Sequence, residues 1–405
     1  MLSVNDALAR IIGAFAPLAT ETVSVADGTG RVLAEPVIAR LDQPSADLSA
    51  MDGYAVIGAD CTSLPATLKV IGAAPAGGSY DQPLQHGQAV RIFTGGPLPA
   101  GADTIVIQED TKVEAQGSVT ILEGATPGRH IRRKGLDFSK GSEGIAAGRV
   151  LTPRDVALAA AMNVPWLTVW RRPRVAILST GDELVMPGEP VGPNRIVSSS
   201  GLAVAALVKE WGGEPTVMGI ARDDRGVIGK HVAAAKRFDL LVTLGGASVG
   251  DHDLVQDVLK AEGFSLDFWR IAMRPGKPLM FADTPGCKAL GLPGNPVSTL
   301  VCALLFLRPA IERMSGLPGD AVATTTATLA IDVGANDTRE DYVRATLSRD
   351  GNGSLSVTPF KVQDSSMLGI MARSNGFMVR PAHDPARRAG EPIKVVDFGT
   401  MGSAF

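Results

Sequence analysis

The sequence predicts a multidomain protein of the α/β plus β class. Between residues 174 and 317, continuous apolar strands alternate with helical patterns, which is typical of a three-layer α/β domain with a mostly parallel sheet. Residues 46–141 and 318–405 instead carry short apolar strands separated by glycine and proline turns. We therefore expect a β-rich domain before the α/β domain and a C-terminal β-barrel-like domain after it.

A small linking domain is predicted from two separate chain segments, residues 1–45 and 142–173. Ser3 and Asp6 start an amphipathic helix in the first segment. In the second segment, residues 152–155 (Thr-Pro-Arg-Asp) supply an N-cap, a first-turn proline and an acid. Because each helix needs a partner for its apolar face, we expect the two segments to form one linking α+β domain.

The remaining elements follow from periodicity and turn residues. In the β-rich domain, strands are predicted at 67–71, 88–93, 104–108 and 119–122. In the α/β domain, strands are predicted at 174–179, 215–220, 239–244, 266–271, 279–282 and 288–292, with helices at 198–211, 225–237, 253–262 and 296–314. In the C-terminal domain, strands are predicted at 323–332, 341–348, 354–360, 377–380 and 391–397.

Composition narrows the classes of function. The net charge of -3 gives no basic field for nucleic acid. The three cysteines have no metal-site spacing and are odd in number, so a reducing compartment is favoured. The N-terminus lacks the features of a signal peptide, and the longest apolar run, 296–307, is too short to span a bilayer. We expect a cytoplasmic protein that binds neither nucleic acid nor membrane.

Polar loops follow the predicted strands at one edge of the sheet. In a parallel sheet, the loops after the strands form the ligand crevice, so residues far apart in sequence are expected to converge there. Residues 245–253 read Gly-Gly-Ala-Ser-Val-Gly-Asp-His-Asp, and the glycine pair would offer backbone N–H groups to an anion. The Lys-Ser/Thr of a nucleotide-triphosphate loop is missing. The same segment contains Gly-x-Ser-x-Gly around Ser248, but only His383 could complete a hydrolase triad, which disfavours that interpretation.

Three pairs of carboxylates follow the strands: Asp182 with Glu183, Asp223 with Asp224, and Asp251 with Asp253. Helix capping could explain any one pair. Three pairs on one rim beside an anion loop instead suggest Mg²⁺ that bridges protein and substrate phosphate.

Cations are expected to face these carboxylates. Arg270 follows an apolar strand, and two prolines and a glycine hold Arg274 and Lys277 in a rigid turn, which favours an oxyanion site. A second basic run, 128–137, is either a solvated loop or a wall facing an anionic ligand.

The loop motifs together resemble those of the molybdopterin molybdenumtransferase family, which is similar to the C-terminal domain of gephyrin. The motifs include Met-Asp-Gly-Tyr-Ala at 51–55, Thr-Gly-Gly-Pro-Leu-Pro-Ala-Gly-Ala-Asp at 94–103 and Ser-Thr-Gly-Asp-Glu-Leu at 179–184. They continue with the segment at 245–253, Pro-Gly-Lys-Pro at 275–278 and Leu-Pro-Gly-Asn-Pro-Val-Ser at 292–298. The series covers essentially the whole chain in order.

The resemblance implies a transferase that performs the last common step of molybdenum cofactor synthesis. Such an enzyme takes adenylylated molybdopterin and molybdate to molybdenum cofactor and AMP, and requires Mg²⁺. The resemblance further implies a homodimer, and it makes molybdopterin adenylyltransferase and molybdoenzyme maturation proteins candidate partners.

The resemblance also transfers functional positions onto this chain, and the local motifs add neighbours. The catalytic positions are Asp52, Asp137, Glu183, Asp223, Asp253, Arg270, Arg274 and Lys277, and the metal ligands among them are Glu183, Asp223 and Asp253. The substrate-binding positions are Thr94, Thr180, Gly181, Asp182, Gly245, Gly246, Ser248, Gly250, Pro293, Gly294, Asn295, Pro296, Arg344 and Ser365. Arginine stands at 270 and 274, where lysine also occurs in the family, so a planar guanidinium replaces the compact ammonium of lysine.

Two other functions fit parts of the sequence. The α/β domain alone also resembles a molybdopterin adenylyltransferase, although the β-rich segments argue against that function. A non-catalytic, gephyrin-like dimeric scaffold is the alternative from another class, and the complete set of charged residues disfavours it.

Overall fold

The structure is a computed structural model, and it describes residues 1–124, 126–246 and 254–400. The chain forms two units: Thr22–Val169 is one, and Met1–Glu21 with the chain from Trp170 onward is the other. Among the described residues, none of the helices combines the length and apolarity that crossing a bilayer requires.

The described residues form eight α-helices, and capping residues explain several of their starts. Ser3 accepts a hydrogen bond from the Asp6 N–H at the first helix, and Thr152 and Asp155 form a capping box at the second. The helices are α1 Val4–Ala14, α2 Pro153–Ala161, α3 Ser200–Glu210, α4 Arg225–Ala235, α5 Leu254–Ala261, α6 Pro296–Cys302, α7 Arg308–Met314 and α8 Leu368–Arg373. A π-helix, Ala303–Leu307, joins α6 to α7.

Twelve strands precede the α/β sheet: β1 Thr20–Ser24, β2 Val37–Ile38, β3 Leu48–Ser49, β4 Gly53–Val56, β5 Ala66–Ala74, β6 Gln88–Ile92, β7 Thr104–Ile107, β8 Thr111–Glu114, β9 Ser118–Ile121, β10 Ile131–Arg132, β11 Glu143–Ile145 and β12 Trp166–Trp170. Six of them form a sheet in the order β7-β4-β6-β5-β9-β8, and the others pair as β1-β12, β3-β10 and β2-β11. The strands predicted in the β-rich segment are confirmed within a few residues; β3, β8 and β10 were not predicted.

The cores of the predicted linking segments lie in two places. The buried face of α1, which includes Leu8 and Ile11, belongs to the core of the α/β sheet. Leu33 and Val37 instead share a core with residues from 138–169, including Ala159 of α2. The boundaries of the linking domain stay a prediction.

The second unit contains the remaining strands: β13 Arg174–Thr180, β14 Leu184–Val185, β15 Ile196–Val197, β16 Glu214–Ala221, β17 Leu240–Leu244, β18 Ser265–Phe268, β19 Met273–Arg274, β20 Met280–Thr284, β21 Cys287–Leu292, β22 Thr325–Leu329, β23 Glu340–Arg349, β24 Leu355–Pro359, β25 Gly376–Arg380 and β26 Pro392–Asp397.

The central sheet has the order β16-β13-β17-β21-β20-β18, parallel from β16 to β21 and antiparallel from β21 to β18. Side chains alternate between its two faces: Ile177 and Val242 pack in the core with α1, α3 and α6, whereas Leu178 and Leu241 pack in the core with α4 and α5. Burial on both faces explains the continuous apolar runs and confirms the three-layer α/β prediction.

The C-terminal strands close on themselves. Strands β23, β24, β22, β26 and β25 follow one another, and β25 pairs again with β23. This five-stranded barrel confirms the predicted β-barrel-like domain. The short strand β19 adds parallel to β23, so Met273 and Arg274 lie beside Glu340 and Asp341. The barrel therefore lies directly beside the turn that carries Arg274 and Lys277.

Candidate functional site

Three parallel strands end side by side at one edge of the central sheet. Leu244 at the end of β17 pairs with Ser179 on one side and Leu292 on the other. The Gly245 N–H donates to the Leu292 carbonyl at 3.2 Å, and the Thr180 hydroxyl donates to the Leu244 carbonyl at 3.4 Å. The loops that follow these strands are therefore neighbours, as the sequence predicts.

Glycine is required where these loops approach one another. Gly245 and Gly246 have φ angles of 88° and 66°, a conformation that residues with a side chain rarely adopt. A Cβ at Gly246 would lie 2.2 Å from the Val255 side chain, and a Cβ at Gly245 would lie 2.8 Å from the Thr180 carbonyl. A Cβ at Gly294, in the third loop, would lie 3.5 Å from the Gly245 Cα. The small residues thus bring the backbone of the loops close together.

The carboxylates at this edge tie two loops to each other. The Asp223 N–H donates to the Asp182 carboxylate at 3.3 Å, and the Asp182 N–H donates to the Asp223 carboxylate at 3.4 Å. The neighbouring Asp224 accepts a hydrogen bond from the Val227 N–H at 2.8 Å and caps α4. Helix capping thus explains Asp224.

Glu183 lies beside this pair and faces the same space. Its carboxylate lies close over Gly181: a Cβ added at Gly181 would be 2.4 Å from Oε2 of Glu183. Glu183 and Asp223 are both exposed. They leave carboxylate oxygens open to solvent at the edge of the sheet.

The two cations of the 274–278 turn have different surroundings. Arg274 donates to Asp341 through Nε at 3.0 Å, to Asp337 at 2.9 Å and to Asn336 at 3.1 Å. The hydrogen bond to Asp341 raises the pKa of Arg274. Among the described residues, Lys277 has no ion pair through its ammonium group. The Arg274 guanidinium is therefore bound to carboxylates of the barrel, whereas no described carboxylate pairs with the Lys277 ammonium.

A loop of the C-terminal barrel completes the site. Nδ2 of Asn295 donates to the Ser365 hydroxyl at 2.8 Å, and the Val297 N–H donates to the Ser365 carbonyl at 3.1 Å. Next to it, hydrogen bonds from Ser366 lower the pKa of Asp364. The loop after Leu292 and the barrel loop are thus joined by two hydrogen bonds.

Arg344 lies beneath that barrel loop. It is 1% exposed, and its N–H and Nε donate to the Gln363 amide oxygen at 3.0 and 3.2 Å. Gln363 in return donates to the Arg344 carbonyl at 3.0 Å and to the Phe360 carbonyl at 2.8 Å. Burial lowers the pKa of Arg344. The arginine predicted to bind substrate therefore holds the loop in position and does not line the cavity.

These loops surround a cavity of about 1330 Å³ in the second unit. Its wall brings together most of the predicted residues of the α/β domain and one from the barrel. The predicted residues that line it are Thr180, Gly181, Glu183, Asp223, Gly245, Gly246, Arg274, Lys277, Pro293, Gly294, Asn295, Pro296 and Ser365.

Several predicted residues lie elsewhere. The Arg270 guanidinium lies over the Trp269 ring, 3.6 Å from its centroid, and Asp182 bonds to the cavity residue Asp223 without lining the cavity itself. In the other unit, Asp52 accepts hydrogen bonds from the Thr94 N–H at 2.7 Å and from its hydroxyl at 2.8 Å. These hydrogen bonds lower the pKa of Asp52. Asp137 is exposed.

The basic run at 128–137 is partly neutralised. Arg133 pairs with Asp47 at 2.6 Å, and Lys134 pairs with Asp42 at 3.2 Å. These pairs favour the interpretation of the run as a solvated loop.

Two of the three predicted metal ligands, Glu183 and Asp223, lie within the described residues. Ser248, Gly250 and Asp253 lie outside the described residues. Within the described segments, no group of three His, Cys, Asp or Glu side chains is placed to hold a metal ion. Glu183 and Asp223 are two hard oxygen donors on the same cavity wall, which suits Mg²⁺.

Comparisons with known proteins identify the family. Three family descriptions match in order: "MoeA N-terminal region (domain I and II)" at residues 2–163, "Probable molybdopterin binding domain" at 176–313, and "MoeA C-terminal region (domain IV)" at 326–398. A molybdopterin molybdenumtransferase of Haemophilus influenzae is 33% identical over 99% of this chain and 100% of its own length. The chain belongs to the molybdopterin molybdenumtransferase family.

Further relatives agree with this family. A molybdopterin molybdenumtransferase of Nostoc is 42% identical over 74% of this chain and 70% of its own length. The crystal structure of a molybdopterin biosynthesis MoeA protein from Pyrococcus horikoshii is 30% identical, with a TM-score of 0.86 over 98% of this chain and 99% of that one. The predicted family and fold class are confirmed. The prediction of a transferase of molybdenum cofactor synthesis is also confirmed at the level of the family.

Some cavity residues of this family member were not predicted from the sequence. They are Ser198, Ser199, Ser200, Arg339, Gln363, Asp364 and Ser366. The serine run leads into α3 and includes its first residue, so its place at the start of a helix in an α/β domain was an available signal. Arg339 and Gln363 carry no comparable local pattern, because their place depends on how the barrel packs beside the sheet.

Proposed function

We propose that the chain inserts molybdate into adenylylated molybdopterin and releases AMP and molybdenum cofactor in a Mg²⁺-dependent reaction. One observation carries the proposal: three glycine-rich loops, two open carboxylates and one open ammonium line the same cavity. This combination suits a ligand with a phosphate chain and a second oxyanion.

Each part of the wall has a proposed role. The loops of Gly246 and Gly294 contact the phosphates. The positive φ angle of Gly246 suits a loop whose N–H groups turn toward an anion, whereas the Gly245 N–H is already bonded to the Leu292 carbonyl. Lys277 holds the oxyanion and neutralises negative charge that develops as AMP leaves. Arg274 contributes positive charge from a fixed position, because its fork is held by the barrel.

Glu183 and Asp223 would hold Mg²⁺, with Asp253 as the third ligand that the family resemblance implies. Carboxylate oxygens are the donors that Mg²⁺ prefers, and both described carboxylates remain accessible. A bound Mg²⁺ would neutralise charge on the phosphates.

The remaining predicted features belong to the same proposal. Asp52, Asp137 and Arg270 are proposed to serve this reaction, and Thr94 fixes the Asp52 carboxylate. We also propose a cytoplasmic homodimer that exchanges pterin with a molybdopterin adenylyltransferase and with molybdoenzyme maturation proteins.

The test measures AMP released from adenylylated molybdopterin by the purified chain, with molybdate added and ATP omitted. We expect release that depends on molybdate and stops with a Mg²⁺ chelator. Glu183→Gln keeps the size of the side chain but removes the charge, and should slow release by about 100-fold. Near-normal release by Asp253→Ala would remove that residue from the proposed metal site.

Two outcomes would replace the proposal. Consumption of ATP with molybdopterin, without molybdate-dependent AMP release, would indicate the adenylyltransferase. Failure of the wild-type chain to bind the pterin nucleotide at all would instead favour the non-catalytic scaffold.

A further inference from the structure

A cavity of about 480 Å³ lies within the unit that contains the β-rich sheet. It lies between two antiparallel chain segments that are joined at both ends. The Ala34 N–H donates to the Thr168 carbonyl at one end, and the Arg40 N–H donates to the Met162 carbonyl at the other, each at 3.0 Å. Between these bonds, no backbone hydrogen bond of the described residues joins the segments, which separate around the cavity. We call this cavity the cleft; because both ends are closed, it suits a compact ligand and not an extended peptide that runs through it.

Ile38, Arg40 and Trp166 lie on one face of the two segments. Side chains alternate between the two faces of an extended chain. Val37 and Leu167 belong to the buried core, so their neighbours Ile38 and Trp166 point to the other face. Arg40 is two residues from Ile38 and shares its face. Ile38 and Trp166 are 42% and 61% exposed, and all three side chains on this face line the cleft.

The charged side chains of the cleft are separated along its length. Arg40 lies at one end of the cleft, and Glu35 lies at the other. Lys140 lies at the same end as the arginine, because the next residue, Gly141, donates its N–H to the Ala39 carbonyl at 2.8 Å. The cleft therefore has two cations at one end, a carboxylate at the other, and apolar side chains between them.

The two cations have no ion pair among the described residues. The Asp42 carboxylate accepts a hydrogen bond from the Lys140 N–H at 2.8 Å, but its charge is balanced by the Lys134 ammonium at 3.2 Å. An anion that contacts Arg40 and Lys140 therefore displaces no ion pair of either cation. A phosphate monoester carries about two negative charges at neutral pH, which would balance both.

We propose that the cleft binds a compound that joins a phosphate monoester to an amino-substituted planar heterocycle. Arg40 and Lys140 hold the phosphate, since charge-assisted hydrogen bonds to phosphate oxygens are strong. The ring packs on Trp166, which removes apolar surface from water. Glu35 accepts a hydrogen bond from the amino group at the other end. The volume lies within the range of roughly 300–1,000 Å³ that is usual for such ligands.

AMP and molybdopterin both have this chemistry, so the cleft would be a second site for one or both of them. This goes beyond the proposed function, because the reaction takes place in the large cavity and does not require the cleft. The two sites can therefore be tested separately.

The test counts the AMP molecules bound per chain by calorimetric titration, with molybdopterin titrated anaerobically in a second series. The cleft variant, Arg40→Gln with Lys140→Gln, removes both charges. The matched control, Arg154→Gln with Lys69→Gln, removes the same two charge types from exposed positions of the same unit that do not line the cleft. Thermal unfolding checks that both double variants fold, and molybdate-dependent AMP release reports on the large cavity.

We expect the wild type and the control to bind two AMP molecules per chain. The cleft variant should bind one, with affinity at the lost site reduced by about 100-fold and AMP release like that of the control. If only the second molybdopterin is lost, the ligand is the pterin.

Other outcomes separate the cleft from the proposed function. A folded cleft variant that binds as much AMP and as much molybdopterin as the control would overturn the cleft. Inorganic phosphate bound at this site as tightly as AMP would overturn the role of the ring. A wild type that binds a single AMP, which the cleft variant loses, would support the cleft and count against the proposed function.

Discussion

The two sides of the cavity use their charges differently. On the sheet side, Glu183 and Asp223 are exposed, and the Asp223 carboxylate accepts a hydrogen bond only from backbone among the described residues. On the barrel side, Arg274 is bonded to Asp337 and Asp341, and Arg344 is buried against Gln363. The sheet side thus leaves its charge exposed to the cavity, whereas most of the barrel side uses its charge to fix its own loops.

Lys277 is the exception on the barrel side. It lies three residues from Arg274 in the same turn, but within the described residues no carboxylate pairs with it. A cation that no described carboxylate pairs with loses little when it contacts a ligand anion, whereas Arg274 would have to exchange its aspartates. We therefore propose ligand binding for Lys277 and loop positioning for Arg274.

The largest expected effect is on activity, from Lys277→Met. Because no described carboxylate balances Lys277, removing its charge should reduce AMP release by about 100-fold while the thermal unfolding midpoint stays unchanged. Lys260→Met, an exposed position on α5, is the control and should retain activity. A Lys277→Met variant as active as this control would break the comparison.

The next effect is on stability, from Arg274→Met. The Asp341 side chain is only 13% exposed, so it would lose its charged partner in a partly buried place. We expect the free energy of unfolding to fall by about 1–3 kcal/mol, measured by denaturant titration. A variant that unfolds like the wild type but loses activity would show that Arg274 acts on the ligand instead.

A pH titration sharpens the stability result. Hydrogen bonds from the Arg339 side chain and backbone, with the charge of Arg274, lower the pKa of Asp337 below its ordinary value of 3.8. Its contribution to stability is therefore complete above that value and is lost as pH falls through the lowered pKa. Arg274→Met keeps the Arg339 bonds and loses only the part that comes from the charge of Arg274, so the stability gap between wild type and Arg274→Met should narrow by a small amount below pH 3.8. A gap of constant size through acid pH would contradict the ion-pair explanation.

The smallest effect is expected from Asn295→Ala, at the junction between the two sides. The variant removes the bond from Nδ2 to the Ser365 hydroxyl but keeps the backbone bond from Val297 to Ser365. We expect a loss of about 0.5–1.5 kcal/mol in the free energy of unfolding. Asn295→Asp is the control, because its carboxylate can accept a bond from that hydroxyl; equal losses in both variants would argue against this bond.

Much of the fold could be predicted because burial on both faces leaves a direct mark on sequence. The continuous apolar runs of β13 and β17 gave the central strands to within one residue. The helix α8 was missed, since six residues are too few to show a helical period. The predicted helix 296–314 is interrupted by a π-helix just before Pro309, which has no N–H to continue the α-helical pattern.

The candidate site could be predicted only where its residues directly follow strands. Glu183, Asp223, Gly245 and Asn295 were found in this way, because strand order places such loops at one edge. The partners of Arg274 lie 63 and 67 residues away in the barrel, and no local pattern reveals them. The burial of Arg344 has the same origin: it depends on how the barrel loop folds over it.

A crystal structure of the protein soaked with AMP, molybdate and Mg²⁺ tests the central claim most directly. We expect the AMP phosphate at the loops of Gly245 and Gly294, and an oxyanion in contact with Lys277 while Arg274 keeps its bonds to Asp337 and Asp341. Density for both ligands outside this cavity, or an oxyanion that displaces the aspartates from Arg274, would contradict it.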